Sequence, residues 1–222
     1  MGTPTLDRLL TSIEKDDKET AKLIAKKFAN ESLAMHDLYR DWLTASLSHV
    51  ATTQGQDAFE QAMKAGVEAT WLPTVKTLSK KSLKHAIRMY ISGLRGHHQP
   101  LKITEDSEKV TIKLKPCGSG GRLVIEGKYD SKPFRHINGK SSLTWNRDSL
   151  PAYCTHDAIM EQVDIDTNGS PFVVIEPAVE IGQQPCFMHI YKNPERIPES
   201  FFSRNYRKKP TRVSRSEDGK IN

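Results

Sequence analysis

From Thr5 to about Gly96, apolar residues recur every three or four positions, the period of helices that bury one stripe. Leu6, Leu9, Leu10 and Ile13 mark a short opening helix. Ala21, Ile24, Phe28, Met35, Leu38, Trp42 and Ala45 mark a long one that begins near Lys18 and breaks at Gly55. A third helix holds Phe59, Met63 and Val67. Pro73 is expected to end it, because proline removes a helical donor, and a fourth follows with Val75, Leu78, Leu83, Ile87, Tyr90 and Leu94.

After Gly93, Gly96 and the pair His97-His98 the period changes. Leu101 and Ile103, then Val110, Ile112 and Leu114, alternate as two strands around the polar turn Glu105-Asp106-Ser107-Glu108. Residues 127–147 are rich in Lys, Ser, Gly and Asn and read as a long connection or lid, with Trp145 as its one strong anchor. Ser149 is placed to cap a helix with Pro151 in its first turn and Met160 and Glu161 toward its end. Asp164 to Ser170 then reads as a turn, Phe172–Ile175 as a buried strand, and Cys186–Tyr191 as a final alternating strand. The predicted fold class is α+β, a helical N-terminal half packed on a small, mostly antiparallel β domain. The predicted divisions are 1–98, 99–200, and a basic, disordered tail over 201–222.

Length and charge narrow the functional classes. A chain of 222 residues has enough material for one large domain or two small ones. No apolar run approaches the roughly 20 residues of a membrane span, and the N-terminus lacks the order of a signal peptide, so a cytoplasmic, non-membrane protein is expected. The net charge of +6 is concentrated in the last segment, where Arg204, Arg207, Lys208, Lys209, Arg212, Arg215 and Lys220 outnumber Glu217 and Asp218. The body is close to neutral. This favours a solvated tail over a nucleic-acid-binding surface.

The chemistry concentrates at the three cysteines, Cys117, Cys154 and Cys186. Widely spaced and odd in number, they do not form a secreted disulfide framework and are expected as free thiols or ligands. Helical spacing puts Cys154 and Asp157 on one face and turns His156 almost the opposite way. Strand alternation puts Cys186 toward the core with Met188 and Ile190, and His189 away from it. The loop Cys117-Gly118-Ser119-Gly120-Gly121-Arg122 allows close backbone approach and directs N–H groups at an anion, with Arg122 as a carboxylate clamp. It lacks the ending of a phosphate loop and the spacing of a dinucleotide fingerprint.

Two chemistries are open if the thiols meet. In one, Cys117, Cys154 and Cys186 hold zinc or another thiophilic divalent metal, with Asp157 or His156 completing the set. In the other, a thiolate among Cys154 and Cys186 is the nucleophile and Asp157 moves the proton. The substrate is then a small molecule, a carboxylate-bearing one where Gly120, Gly121 and Arg122 bind it. A thiolate metal-binding protein without catalysis uses the same atoms. The plain alternative is three cysteines buried separately as small hydrophobes.

The run Cys154-x-x-Asp157 with Met160 and Glu161 beyond it, Cys186 opening an alternating strand, and Cys117 ending an earlier strand after a helical half resemble the L-2-amino-thiazoline-4-carboxylic acid hydrolase-like family. The last two segments are also similar to the alkylmercury lyases, in which two cysteines and an aspartate cleave a carbon–metal bond. The resemblance implies a hydrolase or lyase acting on a carbon–nitrogen or carbon–sulfur bond through Cys154, Asp157 and Cys186, with carbon–metal cleavage as the alternative.

Overall fold

The computed structural model describes residues 2–131 and 133–210, the side chain of Ser131 excepted. By internal packing the chain divides into two units, Met1–Trp42 and Leu43–Asn222, so the division falls inside a helix and not at the expected change of period near residue 98. The first unit holds helix α1 (Thr5–Glu14) and most of α2 (Lys18–Thr53). Within it Phe28, Met35, Leu38 and Trp42 are exposed, and Ile24 is buried.

The second unit is α+β. It continues from α2 into α3 (Gln56–Ser79) and α4 (Leu83–Arg95), followed by β1 (Leu101–Glu105) and β2 (Lys109–Leu114). Gly55, at φ 91°, makes the turn between α2 and α3 in a conformation open chiefly to glycine. Pro73 does not end α3. Phe59, Met63, Val67, Trp71, Val75 and Leu78 form one buried stripe through it, and burial of that stripe outweighs the one backbone donor a proline lacks. The break comes instead between Lys80 and Ser82.

Short helix α5 (Gly120–Ile125) follows the glycine segment, helix α6 (Lys128–Ser131) and strand β3 (His136–Asn138) lie within the stretch 127–147 expected as loop or lid, and strand β4 (Ser149–Pro151) comes just after it. Strands β3 and β4 pair antiparallel, Ile137 opposite Leu150. Trp145 is 5% exposed and belongs to the main core. Helix α7 (Thr155–Asn168) starts later and runs further than its sequence suggests, because Ser149–Pro151 is extended and one 3-10 turn, Ala152–Cys154, precedes the helix. The expected turn at Asp164 is helix, ended by Gly169 in the left-handed conformation.

The last strands, β5 (Val174–Glu176) and β6 (Cys186–Tyr191), complete a four-stranded antiparallel sheet of order β1-β2-β6-β5. Alternation along β2 buries Val110, Ile112 and Leu114, and register pairs them with Ile190, Met188 and Cys186. This face packs with α3, α4 and α7 into one core cluster. His189 lies on the other face, as expected, yet is buried there between Thr111 and Glu176.

Helix α8 (Glu199–Ser203) and the residues that follow it up to position 207 pack into the fold. Phe202 is fully buried in a second apolar cluster with Ile165, Val174, Tyr191 and Ile197. Arg204 pairs with buried Glu161, and Arg207 with Asp166. Residues 201–207, expected as the start of the tail, are thus held by these contacts, because their basic side chains have buried or partly buried acids to meet. Arg212, Arg215 and Lys220 lie outside the described residues. Replacing Phe202 with Ala is expected to cost about 3–5 kcal/mol, read as a lower urea midpoint with unchanged slope. A cost under about 0.5 kcal/mol, as for a solvated tail residue, would place Phe202 outside the core.

Candidate functional site

The β2–β6 register carries the first step of convergence. Cys186 stands opposite Leu114 at the end of β2, and Cys117 follows that strand by three residues. Helix α5 then begins at Gly120 against the start of α7, where a β-carbon on Gly120 would collide with Cys154 Sγ. A β-carbon on Gly121 would meet Cys117 Cβ at 2.9 Å. The glycines are therefore required by close packing against two of the three thiols. Gly118, whose N–H donates to Gln99 Oε1, is equally confined.

Cys117, Cys154, Cys186 and Asp157 all line one cavity of about 340 Å³. All three thiols are free and half-buried. The remaining walls include Trp71, Tyr90, Trp145, Tyr153, Met160 and Met188, a largely apolar lining around a volume in the size range of small-ligand sites. Gly120 and Gly121 also line it, as expected of substrate-binding residues, whereas Arg122 does not. Its guanidinium pairs with Glu126 one turn along α5, Nε to Oε1 at 3.3 Å. The carboxylate clamp expected of Arg122 is thus not in the site.

Burial raises the pKa of every thiol, least favourably for Cys154, where Cys117, Asp157 and Cys186 add to the penalty and only Arg147 opposes it. Cys186 is pushed up to about 11 by burial, partly offset by the N–H of Ala178. Cys117 is also raised by burial, but N–H groups of Gly121, Ser119 and Gly120 are directed at its sulfur and pull the other way. In an apolar wall the neutral thiol is the favoured form. Cys117 is the thiol best supplied with groups that stabilise its anion.

His156 also lines the cavity, contrary to the expectation that it points away. In the first turn of α7 its Nδ1 lies 2.5 Å from the carbonyl oxygen of Tyr153. A carbonyl only accepts, so Nδ1 carries a hydrogen. Its Nε2 lies 3.3 Å from Asp157 Oδ1. Burial raises the pKa of Asp157 and the neighbouring imidazole opposes that shift. His156 and Asp157 thus stand as an adjacent pair at the cavity wall.

Both ring nitrogens of His156 are engaged in this way. Among the described residues no group of three or more His, Cys, Asp or Glu side chains is placed to hold a metal ion. The expected ligand set of Cys117, Cys154, Cys186 and His156, and zinc with it, does not assemble as a metal centre. His189 is likewise committed elsewhere, to Thr111 at 3.0 Å and Glu176 at 3.2 Å.

Further groups stand beside the site. His97 Nδ1 lies 2.6 Å from Ser119 Oγ, and Tyr153 is hydrogen-bonded to the same hydroxyl, which braces the glycine segment. Glu161 and Asp164 extend the acid series on α7 at helical spacing from Asp157. Glu161 is met by Trp145, Asn205, Arg204 and the N–H of Ile175. Asp164 is met by Trp71 Nε1 at 2.7 Å and the N–H of Phe172 at 2.9 Å. The i, i+4, i+7 spacing was the available signal, hidden by reading Asp164 as a turn residue.

Among the described residues no helix is long and apolar enough to cross a membrane. Comparison of the chain with protein-family models, with curated proteins and with solved structures finds no match.

Two outcomes test this geometry. Gly120→Ala is expected to cost about 1–3 kcal/mol by overpacking, with most of it recovered when Cys154→Ala removes the colliding sulfur. The double-mutant cycle should show a coupling of at least about 0.5 kcal/mol, and additivity would dissociate the two residues. Burial raises Asp164 to about 7 from its ordinary 3.8, against the opposing donors of Phe172 and Trp71. The folded state therefore holds this proton longer than the unfolded one. Its contribution to stability is full below about pH 4 and is lost as pH rises toward 7, with a slope of up to about 1.4 kcal/mol per pH unit. Urea midpoints between pH 4.5 and 7 should fall less steeply in Asp164→Asn; an unchanged slope would assign the proton to another group.

Proposed function

We propose that this protein is a small-molecule hydrolase or lyase that cleaves a carbon–nitrogen or carbon–sulfur bond, with a cysteine nucleophile and the His156–Asp157 couple as proton carrier. The observation that supports it is the placement of the three thiols and Asp157 on the wall of one largely apolar cavity of about 340 Å³. Dispersed thiols packed as hydrophobes offer no such space. A metal-storage role draws no support from the donor geometry.

Cys117 is the nucleophile in this reading, ahead of Cys154 and Cys186, because the N–H groups of Ser119, Gly120 and Gly121 converge on its sulfur. As Cys117 Sγ bonds to the electrophilic carbon, its proton passes to the couple. The carbon–nitrogen or carbon–sulfur bond then breaks, and the couple returns that proton to the leaving atom. Water, giving one proton to the couple, adds to the same carbon. The carbon–sulfur bond to Cys117 breaks and the thiol regains its hydrogen, so the cycle closes without an external oxidant or reductant. Holding the thiol neutral at rest keeps a buried anion out of an apolar cavity until substrate supplies a partner for the charge.

A panel of small amides, thiazolines and thioethers provides the test, with p-nitrophenyl acetate to trap an acyl-enzyme. Turnover is expected to fall about 10²–10⁴-fold in Asp157→Asn and to vanish in Cys117→Ala, and intact-mass analysis should place the acetyl group on Cys117. Turnover that survives both substitutions, or acylation confined to Cys154 or Cys186, would sink the assignment.

A further inference from the structure

The charges around the cavity favour one kind of ligand. Among the described residues that line it there is no lysine or arginine, and Asp157 is the one carboxyl. A ligand carboxylate would be buried there without a fixed cation, at a cost that ordinary apolar contacts do not offset.

The walls add to this bias. Trp71 and Trp145 both line the cavity, and each donates its indole N–H to a buried acid of α7. Trp71 Nε1 lies 2.7 Å from Asp164 Oδ1, and Trp145 Nε1 lies 2.8 Å from Glu161 Oε2. An acceptor on the indole N–H makes the ring more electron-rich, and an indole is already the best aromatic partner for a cation. Tyr90 stands edge-on to Trp71 with ring centroids 6.1 Å apart. Arg204 answers the charge of Glu161 from behind, stacked on Trp145 at 4.9 Å. The hydrogen bonds to Asp164 come from the neutral N–H groups of Trp71 and Phe172.

We propose that the cavity binds a small organic cation, an apolar molecule carrying one protonated or quaternary nitrogen, with Asp157 as its counter-charge and Trp71, Tyr90 and Trp145 as its aromatic walls. This rests on the reading of the cavity as a small-molecule site and names the substrate class for it. It replaces the carboxylate-bearing substrate that Arg122 suggested.

Three matched probes decide it: benzyltrimethylammonium, its neutral isostere neopentylbenzene, and phenylacetate, each titrated against the full-length protein and followed by calorimetry and tryptophan fluorescence. The cation is expected to bind about 10-fold or more tightly than the isostere, and phenylacetate not at all. Asp157→Asn should weaken the cation about 10-fold and leave the isostere within about twofold. Equal affinity for cation and isostere, binding of phenylacetate, no binding of the cation, or a cation affinity unmoved by Asp157→Asn would each overturn the proposal. If the Asn variant does not fold by circular dichroism, the wild-type comparison of the three probes still decides. Cys117→Ala is expected to keep cation binding. Loss of turnover with binding retained therefore separates failure of the thiol chemistry from failure of the ligand class.

Discussion

The structure depends on how a carboxylate is kept inside it. Glu161 is 1% exposed, and burying it is tolerable only with its charge and lone pairs answered. Its partners come from separate stretches of chain: Trp145 before α7, the N–H of Ile175 in β5, and Arg204 and Asn205 after α8. Each is drawn to the same two oxygens. One side chain thereby fixes where the connecting segment, the edge of the sheet and the C-terminal residues stand around α7. The helix phase that puts Glu161 inward leaves no freedom for the residues one turn either side of it.

That constraint is what aims the site. Asp157 lies four residues before Glu161 and Asp164 three after it, so all three acids share the inward face of α7. The acids differ in what meets them. Glu161 has a guanidinium, Asp164 has two neutral N–H donors, and Asp157 has an imidazole and the cavity. The deeper acids are structural, and the shallowest, least satisfied one is available for chemistry. Tryptophan nitrogens serve the two deeper acids and in doing so bring their rings to the cavity wall. The packing of the core and the lining of the cavity are thus one arrangement.

Much of the fold was legible in the sequence. The helical half, the two strands around Glu105–Glu108 and the strand Cys186–Tyr191 follow from apolar period alone, because each buries a single face. The errors lie where local signals competed with tertiary contacts. Pro73 reads as a breaker until the buried stripe from Phe59 to Leu78 is seen to run through it. Ser149 reads as a helix cap, yet Ser149–Pro151 pairs with His136–Asn138 as a strand, a partner that sequence spacing does not reveal. The polar stretch 127–147 and residues 201–207 look solvated because their composition is. Their order comes from a few long-range anchors, Trp145, Phe202 and Arg204, whose partners lie far along the chain. All three cysteines line one cavity, and the way His156 turns toward Asp157 was not legible, since it depends on where the first turn of α7 begins.

The glycine-rich segment carries the last step. From sequence it suggested a loop that approaches a ligand closely and directs N–H groups at an anion. In the fold the glycines of Gly118, Gly120 and Gly121 have no room for a β-carbon, and their neighbours are Gln99, Cys154 and Cys117. Flexibility is therefore not their role. Their smallness lets α5 approach the start of α7 and the end of β2 closely enough that backbone N–H groups converge on one sulfur, while Ser119 is held by His97 and Tyr153. Among three thiols that burial keeps protonated, this difference in backbone donors distinguishes Cys117 from its neighbours. It is a difference made by backbone position, which only glycines in this packing permit.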